Sequence, residues 1–423
     1  MTEQFLHFIW EYKLFESDQL NTVQGEPVSV ECPGLRNRDA GPDFSNARIR
    51  LGDTLWVGNV ELHKTASEWY RHHHDTDDAY QSIILHVVAN ADRPVIRFSG
   101  EEIPTLEMRF RPELFHKYEK LLSACTWIAC AESFQTLEPF QLEIGYSRLM
   151  IERLEQKTAE TARLLAETGA DWDETFYRML ARNFGFNVNS LPFEMLAKSL
   201  SYRVISRHSD NPFQVEALLF GQSGLLHDAL LGDDYFLELR EEYRFLSGKY
   251  KLKPLSGHLW KFMRLRPVNF PTLRLAQFAK LLVKSPQLFY RFTEVTELRE
   301  VRELLATEAP GYWLHHYRFN IAASKKVKRL GNGSIDNIIV NTLVPLLFLY
   351  GERYQKPFLQ ERAMNWLTGI SPEENGIIRR WRELGAHARS MFDTQALLQL
   401  KKVYCDKKRC LECHVGYGLL KKA

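Results

Sequence analysis

The stretch that most constrains the fold of this 423-residue chain is Gly41 to His74, GPDFSNARIRLGDTLWVGNVELHKTASEWYRHHH. Phe44 to Leu51 and Leu55 to His63 both alternate apolar with polar side chains, and Gly52-Asp53-Thr54 between them suits a tight turn, so a β-hairpin is expected. Register decides which side chains meet. A three-residue loop sets Leu51 opposite Leu55, Ile49 opposite Val57, Ser45 opposite Glu61 and Asp43 opposite His63, which leaves Asp43, Glu61 and His63 on one face. A two-residue loop shifts every pair by one and brings Asp43 beside Leu62. Because the three-residue register matches aliphatic to aliphatic near the turn, it is the expected one; a bulge would move the far end again.

The flanking segments fit a helix and sheet around that hairpin. Phe5, Phe8, Ile9, Tyr12 and Phe15 recur at helical spacing, which predicts an amphipathic helix over residues 3–15. Pro27 to Cys32 reads as a strand ended by Pro33-Gly34. Ser82 to Ala89, SIILHVVA, is apolar on both faces and predicts a buried central strand, with His86 as a hydrogen-bonded core histidine. Val95 to Phe98 and Thr105 to Phe110 would bring the sheet to about six strands.

Two acids at one end of a hairpin, with a polar residue two positions on, resemble the PD-(D/E)XK nuclease core: Pro42-Asp43, then Glu61-Leu62-His63. The resemblance implies a restriction-endonuclease-like fold in which Asp43 and Glu61 bind Mg²⁺, helped by the Leu62 carbonyl, for cleavage of a nucleic-acid phosphodiester. His63 stands where that family has lysine, and Lys64 is one residue late. Neutral His63 could serve as base, and protonated His63 could stabilise negative charge. A loop at Arg71-His72-His73-His74-Asp75 is expected to aim one or two imidazoles at the same site, as metal or phosphate contacts. GPDFSNA, WVGNVELH, SEWYRHHH, RPVNFPTLRLAQFAKLL and YCDKKRCLEC, in this order, also resemble an uncharacterised bacterial family of DUF2851 type over nearly the whole chain, a kinship that implies no activity.

From Glu143 onward helical periodicity takes over, with helices read at Phe176 to Phe184, from Leu191-Pro192, and over Val215 to Leu226. Arg264, Arg266 and Arg274 surround a helix expected to begin at Pro271, and Arg318 to Arg329 holds five basic residues and no acid. Arg264, Arg266, Arg274, Lys325, Lys326, Lys328 and Arg329 are therefore the candidate contacts with a nucleic-acid backbone. Gly333 to Tyr350 reads as a buried helix whose Asn341 needs partners, and Trp366 and Trp381 read as core anchors. Cys405, Cys410 and Cys413 have C-x4-C-x2-C spacing, which suits Zn²⁺ or an iron–sulfur cluster with His387, Cys125 or Cys130 as a fourth ligand.

A formal net charge of +2 and 45% hydrophobic content describe a globular chain with ample core and no global basic excess. The early acidic residues do not make a signal peptide, no apolar run spans a membrane, and the few cysteines suit a reducing compartment, so the cytoplasm is expected. The reading is an α+β protein: a nuclease-like domain over 1–140, a helical domain over 141–400 and a Cys-rich segment over 401–423. Its expected function is metal-dependent cleavage of nucleic acid. The alternatives are a non-catalytic binding or scaffold protein with a degenerate core, and a hydrolase of a smaller phosphorylated substrate.

Overall fold

The computed structural model describes residues 1–37, 39–136, 139–227, 232–284 and 287–421. The architecture is α+β and forms two compact units: Met1–Ser147 with Gly376–His387 and Leu397–Ala423, and Arg148–Asn375 with Ala388–Ala396. The Cys-rich segment thus belongs to the first unit.

The first unit opens with helix α1, Glu3–Glu11, which buries Phe5, Leu6, Phe8, Ile9 and Trp10. It stops short of Phe15 because Lys13 turns left-handed and donates to the Trp10 carbonyl, while Leu14 donates to that of Ile9. Strands β1, Val28–Cys32, β2, Leu35–Arg36, β3, Phe44–Leu51, and β4, Thr54–Thr65, follow. The short helix α2, Glu68–Arg71, then leads to β5, Ile83–Asn90, and β6, Thr105–Glu107. The six-stranded sheet runs β1-β3-β4-β5-β6, with β2 also on β3; β4-β5 and β5-β6 are parallel and the rest antiparallel. Val95 to Phe98 is not a strand: only Ile96 forms an isolated bridge, to Glu102, and Gly100 turns the chain back with a positive φ.

The hairpin corrects the expected register. Leu51 pairs with Thr54, Arg50 with Leu55 and Ile49 with Trp56, so the loop has two residues, Gly52-Asp53. That register alone would set Asp43 against Leu62. A bulge between Phe44 and Ala47 changes the count, with Asn46 at φ +56°, a conformation asparagine tolerates better than most residues. Phe44 now faces Val60, which brings Asp43 to Glu61. The expected neighbours therefore meet by a different route.

Apolar side chains on alternate positions of β3 (Phe44, Ala47, Ile49, Leu51) pack with α1 and with Leu85, Val87 and Leu106. Leu411 and Leu420, from the C-terminal segment, join this core. The other sheet face buries Ala66, Trp69, Tyr80, Val88 and Val95. Trp381 lies edge-on to Trp127 at 5.1 Å, an anchor of this unit.

The second unit is mainly helical, with a core of aromatic and aliphatic side chains that includes Trp172, Phe184, Phe278, Trp313 and Trp366. Its helices fall near the expected places: Trp172–Phe184 ends at Gly185, and Pro271 opens Pro271–Lys284 at the first turn, where its missing N–H costs nothing. In helix Pro212–Gln222 the ring of Tyr243 sits where a side chain at Gly221 would go, 1.9 Å from the missing Cβ. Asn332–Arg353 is the helix among the described residues long and apolar enough to cross a membrane; 61% of its apolar window is buried within the protein. Asn341 finds its partners there, accepting from Lys157 Nζ at 2.7 Å and donating to the Asn337 carbonyl at 2.9 Å.

Candidate metal centre

Asp43 and Glu61 grip one another's strands. The Asp43 amide donates to Glu61 Oε2 at 3.0 Å, and the Leu62 amide donates to Asp43 Oδ2 at 3.0 Å. Two carboxylates are thereby fixed at one end of β3 and β4, with Glu61 only 4% exposed. Burial, and next the Asp43 charge, push the Glu61 carboxyl up to about 9, so at neutral pH it holds a proton.

The rest of the centre is imidazole. His63 lies on β4 and is fully buried; its Nδ1 is 2.8 Å from His86 Nε2 on β5, and its Nε2 is 3.1 Å from His72 Nδ1. After α2, His73 adopts a left-handed φ of 61°, and the turn buries His74 while His72, though exposed, keeps a ring nitrogen beside His63. His74 stacks on Tyr80 at 3.7 Å, and its Nε2 is 3.4 Å from Glu61 Oε1. His63 Nε2 is 3.8 Å from the same oxygen. Ligand atoms of His63, His72 and His74 lie within 4.8 Å of one another. Burial, and then the neighbouring imidazoles, lower His63 to about 2; burial likewise brings His86 down to about 3 and His74 below its usual value. These rings are neutral, the form that binds metal.

Helix α1 contributes a second group. Glu3 and His7, one turn apart, converge with Asp43 within 4.8 Å. Arg36 Nη2 lies 3.3 Å from His7 Nδ1; since guanidinium only donates, Nδ1 accepts, and Nε2 is 3.0 Å from Asp43 Oδ2 without the alignment of a hydrogen bond. Burial, and next Asp43, raise the Glu3 carboxyl.

A cation fits this donor set. Donor separations of 3.1 Å (His63–His72), 3.4 Å (His74–Glu61) and 3.8 Å (His63–Glu61) lie near or above the edge of about 3.3 Å of a tetrahedron with zinc–nitrogen bonds of about 2.0–2.1 Å. Neutral imidazoles beside a carboxyl favour Zn²⁺ or Mn²⁺, whereas the carboxylates alone would suit Mg²⁺. His86 Nδ1 is buried without a partner, so His86 can give its Nε2 lone pair to His63 Nδ1–H and free His63 Nε2 for a ligand role.

The expected site residues fare unequally. Asp43, Glu61 and His63 come together, with His72 and His74. Lys64 turns away, its Nζ 3.4 Å from Glu68, whose carboxylate also accepts from the Lys64 amide at 2.8 Å. Of the basic candidates in the second unit, Arg264, Arg266, Lys325, Lys326 and Arg329 are exposed, and Arg329 lies 3.5 Å from Glu308. Arg274 and Lys328 are buried and offer no charge to a surface ligand. Arg274 binds Gln277 and Asn269 over the Phe186 ring, and Lys328 Nζ is consumed by the Trp313 and Leu314 carbonyls. Glu3, His7 and His86 were missed. The signal for the first two is a pair of polar residues at i, i+4 on an apolar helix; nothing in SIILHVVA distinguishes His86 from a core histidine.

A family model described as a protein of unknown function (DUF2851) matches residues 3–376, a span that takes in Glu3, His7, Asp43, Glu61, His63, His72, His74 and His86. No curated protein and no solved structure matches the chain.

Proposed function

The chain belongs to this family of unknown function, and from the site within the matched residues we propose a divalent-metal-dependent hydrolase of nucleic-acid phosphodiesters. The convergence of His63, His72 and His74 beside Glu61 carries the reading. A helix, a strand and a hairpin bearing Asp43 and Glu61 also support kinship with restriction-endonuclease-like cores.

A bound cation would supply a water nucleophile at neutral pH and neutralise charge on the phosphoryl group. The protein's own residues prepare that chemistry. His63 and His74 are held neutral by burial, and Glu61 keeps a proton that it would release when a cation enters. His86 fixes the ring of His63, while Asp43 is held by the Leu62 amide and faces His7. With Nδ1 held by His86 and no exposure to solvent, His63 suits a ligand role through Nε2 better than that of a base. Exposed His72 leaves the cluster open on one side, where substrate could enter.

One observation favours a second reading, a non-catalytic metal and nucleic-acid binder. Lys64, next to His63 in sequence, is spent on Glu68 and offers no charge to a transition state. Titration calorimetry with Zn²⁺, Mn²⁺ and Mg²⁺, on wild type and on His63→Ala/His74→Ala, followed by assays on single- and double-stranded DNA and RNA, tests both. Metal binding lost in the variant, with wild-type cleavage that needs the metal, supports the hydrolase. Metal and nucleic-acid binding without cleavage favours the binder, and no metal binding at all removes both.

A further inference from the structure

The second unit holds a small cavity, about 270 Å³, between the end of helix Trp172–Phe184 and the start of helix Pro271–Lys284. Its walls are set by a tight turn. Gly185 permits the turn, since a Cβ there would lie 2.2 Å from the Asn189 carbonyl oxygen. Phe186 follows at φ 48°, a conformation that bulky residues rarely adopt and that tends to persist where function requires it. Asn189 ties the turn to the segment that supplies Leu265 and Asn269: its side chain accepts from the Lys261 amide at 2.9 Å and donates to the Lys261 carbonyl at 3.0 Å. Phe184, Phe186, Phe193 and Leu265 make the lining largely apolar.

One cation is set into that lining. Arg274, in the first turn of helix Pro271–Lys284, lines the cavity and is only 6% exposed. Its Cζ lies 4.6 Å from the centre of the Phe186 ring. Its guanidinium donates to Gln277 Oε1 at 3.0 Å, Asn269 Oδ1 at 2.7 Å and Ser334 Oγ at 3.4 Å, all of them neutral, while the buried Nε has no acceptor. Two less buried arginines of the same unit, Arg178 and Arg302, each meet a carboxylate, at 2.7 and 2.8 Å. Among the described residues Arg274 meets none, and no acid lines the cavity. Burial lowers Arg274 to about 10, so it keeps its charge at neutral pH. A buried charge left without a counter-ion is costly, and the cavity is where one can enter.

We propose that this cavity binds a small aromatic monocarboxylate, whose anion pairs with Arg274 and whose ring packs against Phe184, Phe186 and Phe193. The volume lies just below the usual range of about 300–1,000 Å³ for ligand pockets, which suits a single ring with a short acid arm. One buried cation balances one negative charge, so a phosphate dianion would leave an excess. An amino acid fits poorly for the opposite reason: its ammonium would meet no acid. The positive end of the helix opening at Pro271 adds to the attraction. This site lies wholly within the second unit and calls on neither the imidazole centre nor a metal.

The test is calorimetric titration of the full-length protein with benzoate, phenylacetate and hydrocinnamate, with the neutral amide of each and inorganic phosphate as controls. At least one acid should bind saturably, about ten- to hundredfold more tightly than its own amide. Arg274→Met keeps an unbranched side chain and removes the charge; it should bring the acid down to the level of the amide and leave the amide unchanged. Should Arg274→Met not fold, the acid–amide comparison on the wild type needs no variant, and Val188→Trp, at the exposed rim of the cavity, should weaken acid and amide alike. His63→Ala/His74→Ala should bind the acids as the wild type does. No saturable binding by any of the three acids, equal affinity for an acid and its amide, phosphate bound as tightly as the acids, or full acid affinity in Arg274→Met would each overturn the proposal.

Discussion

Two buried glutamates, one in each unit, show what separates a settled polar group from one poised to bind. Glu216 in the second unit is 6% exposed and accepts from Trp313 Nε1 at 2.5 Å and from the Tyr235 hydroxyl. Glu61 in the first is 4% exposed, yet its side-chain partners are a second carboxylate and imidazoles with lone pairs of their own. Burial raises both, Glu216 to about 7 and Glu61 to about 9; neutral donors hold the first down, and Asp43 drives the second further up. A carboxyl met by neutral donors is complete. One that faces acceptors and a second carboxylate keeps a proton of its own, and a cation could take that proton's place.

The largest expected effect lies on the settled side. Glu216→Ala leaves the indole N–H of Trp313 and the Tyr235 hydroxyl without their acceptor and opens a cavity, for a loss of about 2–5 kcal/mol in denaturant unfolding. Divalent cations should not change that figure. A loss below about 1 kcal/mol would mean that water serves those donors, and the contrast between the two glutamates would lapse.

Next comes the cation itself. At a free Zn²⁺ or Mn²⁺ concentration about 100 times its dissociation constant, the wild type should gain about 2.7 kcal/mol in stability. Glu61→Gln should lose most of that gain. Calorimetry at pH 7 in buffers of different ionisation enthalpy should also register release of the Glu61 proton as the metal binds, and a binding event with no proton release would exclude Glu61 as a ligand.

His86→Leu keeps the apolar bulk of β5 but removes the partner of His63 Nδ1. Second-shell partners of ligating histidines typically account for about 10–100-fold in metal affinity, and a loss in that range is expected by titration. Unchanged affinity would return His86 to the plain core role its sequence suggested.

How far the chain could be read varies with how local each determinant is. Helix α1, β1, the hairpin strands and β5 were legible because period and turn residues are written in a few consecutive positions. The register was not: the Asn46 bulge depends on how β3 lies between its neighbours, and alternation alone cannot reveal an inserted residue. Asp43 and Glu61 nonetheless meet, because the bulge offsets the shorter loop. His7 meets Asp43 only through tertiary packing, and Arg274 and Lys328 look like surface charge because a basic residue in sequence does not disclose the carbonyls that bury it.

The subtlest test of the comparison is how stability responds to pH without added cation. A carboxyl with a raised pKa in the fold favours folding fully below its unfolded value, near 4.5, and loses that contribution as pH rises towards about 9. The lowered imidazoles run the other way: His63 and His86 favour folding above about 6.5 and lose that contribution as pH falls through the acid range. Glu61→Gln removes the first dependence and keeps the second. In denaturant unfolding at pH 5, 7 and 9, the variant should gain on the wild type steadily as pH rises, while both weaken together on the acid side. A constant offset across the three pH values would mean that Glu61 titrates alike in folded and unfolded chains, and the buried carboxyl would need no cation to settle it.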